Sequence, residues 1–292
     1  MKLATFVTNG KQHGGALTER GLVPFATGQA SDVAELIRLG ADSVRLRDML
    51  AAGLPAVDPA SVNFLPPILT PPKIICVGLN YADHTKESPY EQPGYPTLFL
   101  RLATSLIGNG AVLERPLCSD SLDFEGELAV VLGSGGRHIP KDRALDCVFG
   151  YSVFNDGSVR EYQFKSPQWT VGKNFDRTGA FGPYVVTADE LPPGAKGLLL
   201  QTRLNGDVVQ SANTDNMIYD VASLISIISE AITLQAGDVI VAGTPSGIGW
   251  AREPKLLMRH GDVVEVSIEK IGVLVNPIRD ESAAAAEASG AR

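Results

Sequence analysis

The residues of this chain best suited to chemistry are acids. Asp123, Glu125 and Glu127 alternate with Leu122, Phe124, Gly126 and Leu128 within residues 122–131. With the period of two of a β-strand, Leu122, Phe124, Gly126, Leu128 and Val130 share one face and the three acids share the other. Same-face neighbours stand roughly 7 Å apart. At an effective dielectric of about 20, each adjacent pair of carboxylates repels by about 2 kcal/mol. Water over an edge strand would relieve this, and a solvated polar face is the plain reading of the pattern taken alone. A cation or Lys/Arg partners would relieve it as well. Asp156 adds a carboxylate at the end of the apolar run 150–154, where Asn155-Asp156-Gly157 also reads as an ordinary turn. As a set, Glu125, Glu127 and Asp156 are hard oxygen donors with no His or Cys cluster beside them. That set suits Mg²⁺, Mn²⁺ or Ca²⁺ rather than zinc. On a roughly six-coordinate ion it leaves about three positions for water and substrate.

Other candidates are more ambiguous. His84 and Glu87 fall three residues apart in a short helix that Asn80 can cap and Pro89 can stop, so they share a face. A surface ion pair is the plain alternative. A helix of about eight residues is marginal without packing, which makes this one a candidate mobile lid. Lys173, between apolar residues and Gly172, reads by itself as a surface lysine with a buried stem. Arg160 and Gln163 fall on one side of a helical turn over 159–163. Thr244-Pro245-Ser246-Gly247-Ile248-Gly249 follows an apolar strand. It lacks the Gly-Lys-Ser/Thr ending of a P-loop and the Gly-x-Ser-x-Gly of a nucleophile elbow. Such a turn can still present backbone N–H groups to a substrate carboxylate.

The elements that must position these residues are mostly strands. Residues 3–7 read as a strand, followed by a Gly-rich turn over 10–15 and a helix over 34–40. Prolines from Pro55 to Pro72 then interrupt regular structure, and we place a boundary near residue 71. A buried-type strand over 73–78 leads into the His84 helix. Beyond the acidic strand come a short amphipathic helix near 142–148 and a strand over 150–158. A hairpin is signalled by Asn205-Gly206, an amphipathic helix over 218–234 by its period and Gly237, and a strand over 261–268 closes the fold. This describes an α+β, strand-dominated chain, a sandwich or rolled barrel with helices at its edges. A small N-terminal domain covers 1–70 and a catalytic domain 71–280. The Ala-rich residues 281–292 read as a frayed tail.

Composition narrows the partners. The chain has 292 residues, is 44% hydrophobic and carries a formal net charge of -8. That argues against nucleic acid, and no apolar run is long enough to cross a membrane as a helix. Cys76, Cys118 and Cys147 are scattered, as expected of small buried hydrophobes in a reducing, cytoplasmic setting.

Five segments stand in the order seen in the fumarylacetoacetate hydrolase family, which this chain resembles over about residues 71–280. They are Gly78-Leu79-Asn80-Tyr81-Ala82-Asp83-His84, Asp123-Phe124-Glu125-Gly126-Glu127-Leu128, Asn155-Asp156, Gly172-Lys173-Asn174-Phe175-Asp176 and Ala242-Gly243-Thr244-Pro245-Ser246-Gly247-Ile248-Gly249. The resemblance implies that Glu125, Glu127 and Asp156 hold the metal and that His84 and Glu87 form a water-activating dyad. It implies that Lys173 is catalytic and that Arg160, Gln163 and Thr244 line the substrate site. It further implies a β-roll fold, a homodimer, and a small-molecule 2-oxo acid substrate. The activity implied is hydrolysis of a C–C bond in an acylpyruvate-like 1,3-diketo acid. Oxaloacetate-type decarboxylation, or a hydratase or isomerase step of aromatic catabolism, is the alternative on the same scaffold, and a non-catalytic metal-binding protein a third. The chain departs from the family where Asn155-Asp156 continues as Gly157-Ser158-Val159-Arg160-Glu161, and its first 70 residues match only loosely.

Overall fold

The computed structural model describes residues 1–26, 28–87 and 94–282. Two β-sheets form the frame. The larger has, in spatial order, Gly21–Pro24, Lys11–Thr18, Lys2–Thr8, Gly179–Thr187, Val148–Asp156, Gly126–Leu132, Val239–Val241, Ile74–Gly78 and Thr97–Arg101, with two short strands off this path. The smaller runs Asp207–Asn213, Leu199–Leu204, Val263–Ile268, Gly272–Asp280 and Leu113–Arg115. The architecture is strand-dominated α+β, as the strand count implies.

The acidic segment lies at the centre. Gly126–Leu132 pairs with Val148–Asp156 on one side and Val239–Val241 on the other, so it is not the solvated edge strand of the plain reading. Both faces are buried. Leu122, Phe124, Leu128 and Val130 enter one core with Val264 and Val266 of the smaller sheet. Ala129 and Val131 enter a second core with Phe154 and Phe181. The two-residue period therefore holds across the segment, although the strand breaks at Phe124-Glu125 and Leu122–Asp123 pairs separately with Ser158–Val159. Gly126 is where the two sheets touch: a Cβ there would lie 2.2 Å from Thr202 Oγ1 and 2.9 Å from Val266 Cγ1.

The first 70 residues are continuous with the rest. Lys2–Thr8 pairs with Gly179–Thr187, and Leu3, Phe25 and Ile37 share the second core with Ile74 and Phe154. No break in sheet or core falls at residue 71. Gly14 and Gly15 are not turn residues but lie inside Lys11–Thr18. A Cβ on Gly15 would meet the Val23 carbonyl oxygen at 2.5 Å.

Several other expectations are met with altered bounds. The hairpin turns at Asn205 and Gly206, with φ of 54° and 89°, joining Leu199–Leu204 to Asp207–Asn213. The long helix is Val221–Ala231, capped by the Asp220 side chain, so Gly237 belongs to the turn beyond it. The amphipathic segment near 142 is a 3₁₀ helix, Lys141–Cys147. Val263–Ile268 does not close the fold, because Gly272–Asp280 follows and pairs with it. Of the cysteines only Cys76 is buried; Cys118 is exposed and Cys147 intermediate. The Ala-rich segment from Ala283 onward and the proposed helix stop at Pro89 lie outside the described residues. No described helix is long and apolar enough to cross a membrane.

Candidate active site

Backbone register brings the acids together. Gly126 pairs with Asn155 and Glu127 with Phe154. Beyond the pairing, Asp156 N–H donates to the Glu125 carbonyl at 2.8 Å, and Glu125 N–H donates to Asn155 Oδ1 at 3.0 Å. Glu125, Glu127 and Asp156 are all buried, each offering a carboxylate oxygen within 4.8 Å of the others.

Three buried cations surround them. Lys173 Nζ donates to Glu125 Oε2 and Asp156 Oδ2, both at 2.6 Å. It is not the snorkelling surface lysine its neighbours imply, being only 1% exposed. Arg160 donates from Nε to Asp123 Oδ2 at 2.8 Å, and from Nη1 to Glu125 Oε1 at 2.5 Å and Gln163 Oε1 at 3.0 Å. Its buried Nη2 has no hydrogen-bond partner among the described residues. Arg101, which the sequence reading did not single out, donates from Nη1 to Asp156 Oδ1 at 2.5 Å. Its Nη2 reaches Thr178 Oγ1 at 2.9 Å and its Nε reaches Ser105 Oγ at 3.2 Å. An arginine ending the otherwise apolar strand Thr97–Arg101 was the available signal.

Asp123 is fully buried rather than solvated. Besides Arg160 it accepts from the N–H groups of Gly249 and Trp250 at 2.8 and 2.9 Å. The Gly-rich turn thus spends these donors on the protein, not on a substrate carboxylate. The same holds for Gly247, whose N–H donates to both Glu87 oxygens at 3.0 and 2.9 Å. Glu87 in turn accepts from His84 Nδ1 at 2.9 Å, so the helix Ala82–Glu87 is docked on the turn through the dyad. His84 is 7% exposed, not a surface residue. Asn80 does not cap this helix. Its side chain ties Tyr219 and the Ala242 carbonyl together, with bonds of 2.7–3.0 Å. Thr244 lines the same pocket as His84, Glu87, Glu125, Glu127 and Lys173, but its hydroxyl donates to the Gly126 carbonyl at 3.1 Å.

Comparison with known proteins supplies the family. Residues 73–279 match the family described as "Fumarylacetoacetate (FAA) hydrolase C-terminal". The chain belongs to the fumarylacetoacetate hydrolase family. An uncharacterized protein of Archaeoglobus fulgidus is 46% identical over 216 residues, 74% of this chain and 82% of that one. Human mitochondrial oxaloacetate tautomerase FAHD2A is 40% identical over 234 residues, 80% of this chain and 74% of that one. Among solved structures, a fumarylacetoacetate hydrolase from Exiguobacterium antarcticum superposes with a TM-score of 0.85 at 36% identity, covering 96% of this chain and 100% of that one. A 5-carboxymethyl-2-hydroxymuconate delta-isomerase from Mycobacterium smegmatis does so with 0.77 at 30%, covering 97% and 100%.

The site has the electrostatics expected of this family's divalent-metal enzymes. Burial works against charge on Glu125, yet Lys173 and Arg160 outweigh it and hold the carboxyl far below its usual range. Glu127 goes the other way. Burial, then the charges of Asp156 and Glu125, push its carboxyl well above the usual range. Its hydrogen-bond donor is the Gly243 N–H at 2.6 Å; no described Lys or Arg side chain pairs with it. One carboxylate of the trio therefore lacks a cation, and three hard oxygens converge on one spot. A divalent ion fits that deficit, and each carboxylate oxygen has a second lone pair to share with it. Burial acts to lower the Lys173 ammonium pKa, but Asp156 and Glu125 outweigh it and keep the pKa raised.

Proposed function

We propose that this chain is a divalent-metal-dependent enzyme acting on 2-oxo acids, and that its reaction is hydrolytic C–C cleavage of a 1,3-diketo acid such as an acylpyruvate. The observation that carries the reading is the placing of three chemical elements in one pocket. They are Glu125 and Glu127 of the buried acid trio, with the Asp156 carboxylate within 4.8 Å of both, the docked His84–Glu87 dyad, and the guanidinium of Arg160, whose Nη2 has no hydrogen-bond partner among the described residues. When bound by Glu125, Glu127 and Asp156, Mg²⁺ or Mn²⁺ would polarise the substrate's oxygens and stabilise enolate charge.

The remaining work falls to the chain's own residues. Glu87 accepts from His84 Nδ1, which fixes the tautomer and leaves Nε2 as the base. Gly247 N–H holds Glu87 in place. His84 takes a proton from water as the water oxygen attacks the carbonyl two carbons beyond the 2-oxo group. The C–C bond breaks, its electron pair passes to the pyruvate enolate, and that carbon is then protonated, giving pyruvate and a carboxylic acid. Arg160 Nη2 is the donor for a substrate carboxylate, and Lys173 adds positive charge where the enolate develops.

A second reading has specific support: the 40% identical human protein is named an oxaloacetate tautomerase, and a 30% identical structural relative a delta-isomerase. Here His84 would move a proton on the substrate's carbon rather than take one from water. The discriminating experiment measures turnover of acetylpyruvate and oxaloacetate with Mg²⁺ or Mn²⁺, in wild type and His84→Ala. Cleavage of acetylpyruvate that collapses in the variant supports the hydrolase. Oxaloacetate enolisation or decarboxylation without diketo acid cleavage replaces it with the second reading.

A further inference from the structure

The pocket has a wall that this chemistry leaves unused. Four aromatic side chains line it: Phe99, Phe164, Trp169 and Trp250. They stand as two pairs, Phe99–Trp169 edge-on with centroids 5.5 Å apart and Phe164–Trp250 tilted with centroids 6.0 Å apart. None of them is fully buried, although Phe99 packs against the second core. Phe164 is 39% exposed and the other three are partly buried. Aromatic side chains lining a cleft favour an apolar occupant.

The wall is built into the fold. A Cβ on Gly78 would fall 2.3 Å from the Trp169 ring, so the indole rests on the end of strand Ile74–Gly78 only because residue 78 has no side chain. Lys255 Nζ stands over the Trp250 ring, 3.5 Å from its centroid.

The polar donors meet the wall at Phe99, whose ring centroid lies 5.1 Å from Lys173 Nζ. The described Lys and Arg side chains lining the pocket are Arg160 and Lys173, and apart from Arg160 Nη2 they donate to the protein's own acids and Gln163. A four-carbon diacid carries no apolar arm to match four aromatic rings. A second carboxylate against that wall would lose water and meet ring faces that carry negative charge density.

We infer that the substrate's arm beyond its second carbonyl is a large apolar group, an aryl ring or a long alkyl chain, selected by Phe99, Phe164, Trp169 and Trp250. This deepens, and rests on, the 2-oxo acid reading above. Burying each added methylene on this wall raises kcat/KM about fourfold, the equivalent of ~0.8 kcal/mol.

The test uses the full chain loaded with Mn²⁺ and five acids: acetylpyruvate, hexanoylpyruvate, benzoylpyruvate, fumarylpyruvate and oxaloacetate. Both tryptophans of the chain line the pocket, so intrinsic fluorescence reads binding independently of turnover. The expected result is a kcat/KM for benzoyl- and hexanoylpyruvate at least tenfold above that for acetylpyruvate and oxaloacetate. Emission should change at correspondingly lower concentrations of the two apolar acids. Phe164→Ala, at an exposed position, and Trp169→Ala should each cut the benzoyl-to-acetyl ratio at least threefold. Turnover with the diacids preferred, or a ratio unmoved by both variants, overturns the inference alone. Turnover of none of the five overturns the 2-oxo acid reading and the inference with it.

Discussion

Replacing Glu127 by Gln should separate the metal site from the fold. The three ligand oxygens lie within 4.8 Å of one another, so two full charges at that distance repel by about 3.5 kcal/mol at an effective dielectric of 20. Arg101, Arg160 and Lys173 offset this for Glu125 and Asp156. For Glu127 no described cationic side chain does so. A Gln keeps an acceptor for the Gly243 N–H and matches the neutral carboxyl, so the metal-free variant should be as stable as wild type at low pH and the more stable of the two as pH rises. The sign of the pH dependence follows from the raised Glu127 carboxyl. The folded metal-free protein keeps a proton that the unfolded chain releases above about pH 4.3. Its stability therefore falls as pH rises from there toward the raised folded value, by up to about 1.4 kcal/mol per pH unit for one proton. In Glu127→Gln that slope is lost.

Metal reverses the comparison. At 100 times its Kd an ion stabilises wild type by about 2.7 kcal/mol, or about 5 °C in Tm for a chain of this size. The variant should gain little. The assay is urea and thermal unfolding in chelator and in Mn²⁺ across pH 5–8. A variant destabilised by several kcal/mol without metal, yet stabilised by Mn²⁺ as much as wild type, would refute the reasoning.

Three further perturbations read other parts of the site. His84→Ala should lower kcat by about 10²–10⁴ while leaving Mn²⁺ affinity within a few-fold, checked by steady-state kinetics and calorimetry; an unchanged kcat removes the dyad from the reaction. Arg101→Met leaves the buried Asp156 without its Oδ1 partner and should cost about 3–5 kcal/mol in urea unfolding, with weaker Mn²⁺ binding; full stability would show that Lys173 alone suffices. Gly126→Ala drives a methyl into Thr202 and Val266 and should destabilise by about 1–3 kcal/mol or more, read as a lower urea midpoint; a neutral result would mean the sheets can part there.

What could be read from the sequence was local. The alternation through residues 122–131 gave the two faces of the strand, and Asn205-Gly206 gave a hairpin with both residues at positive φ. The apolar period over residues 218–234 gave the long helix, apart from its ends. What could not be read depends on residues far apart in the chain. Arg101 meets Asp156 across 55 positions, and Gly247 meets Glu87 across 160. The Thr244–Gly249 turn shows its glycines in sequence, but not that its N–H groups serve Glu87 and Asp123. Lys173 illustrates the same point. Nothing in Val171-Gly172-Lys173 distinguishes a surface lysine from a buried one; only its carboxylate partners do, and those lie 17 and 48 positions away. Family resemblance pointed to Lys173 where local pattern did not.

The most direct measurement is anomalous diffraction from crystals grown or soaked in Mn²⁺. The site described here predicts a single strong peak in the pocket beside His84, within coordination distance (about 2.1 Å) of oxygens from Glu125, Glu127 and Asp156. A peak bound elsewhere, with the three carboxylates left to Arg101, Arg160 and Lys173 alone, would contradict it.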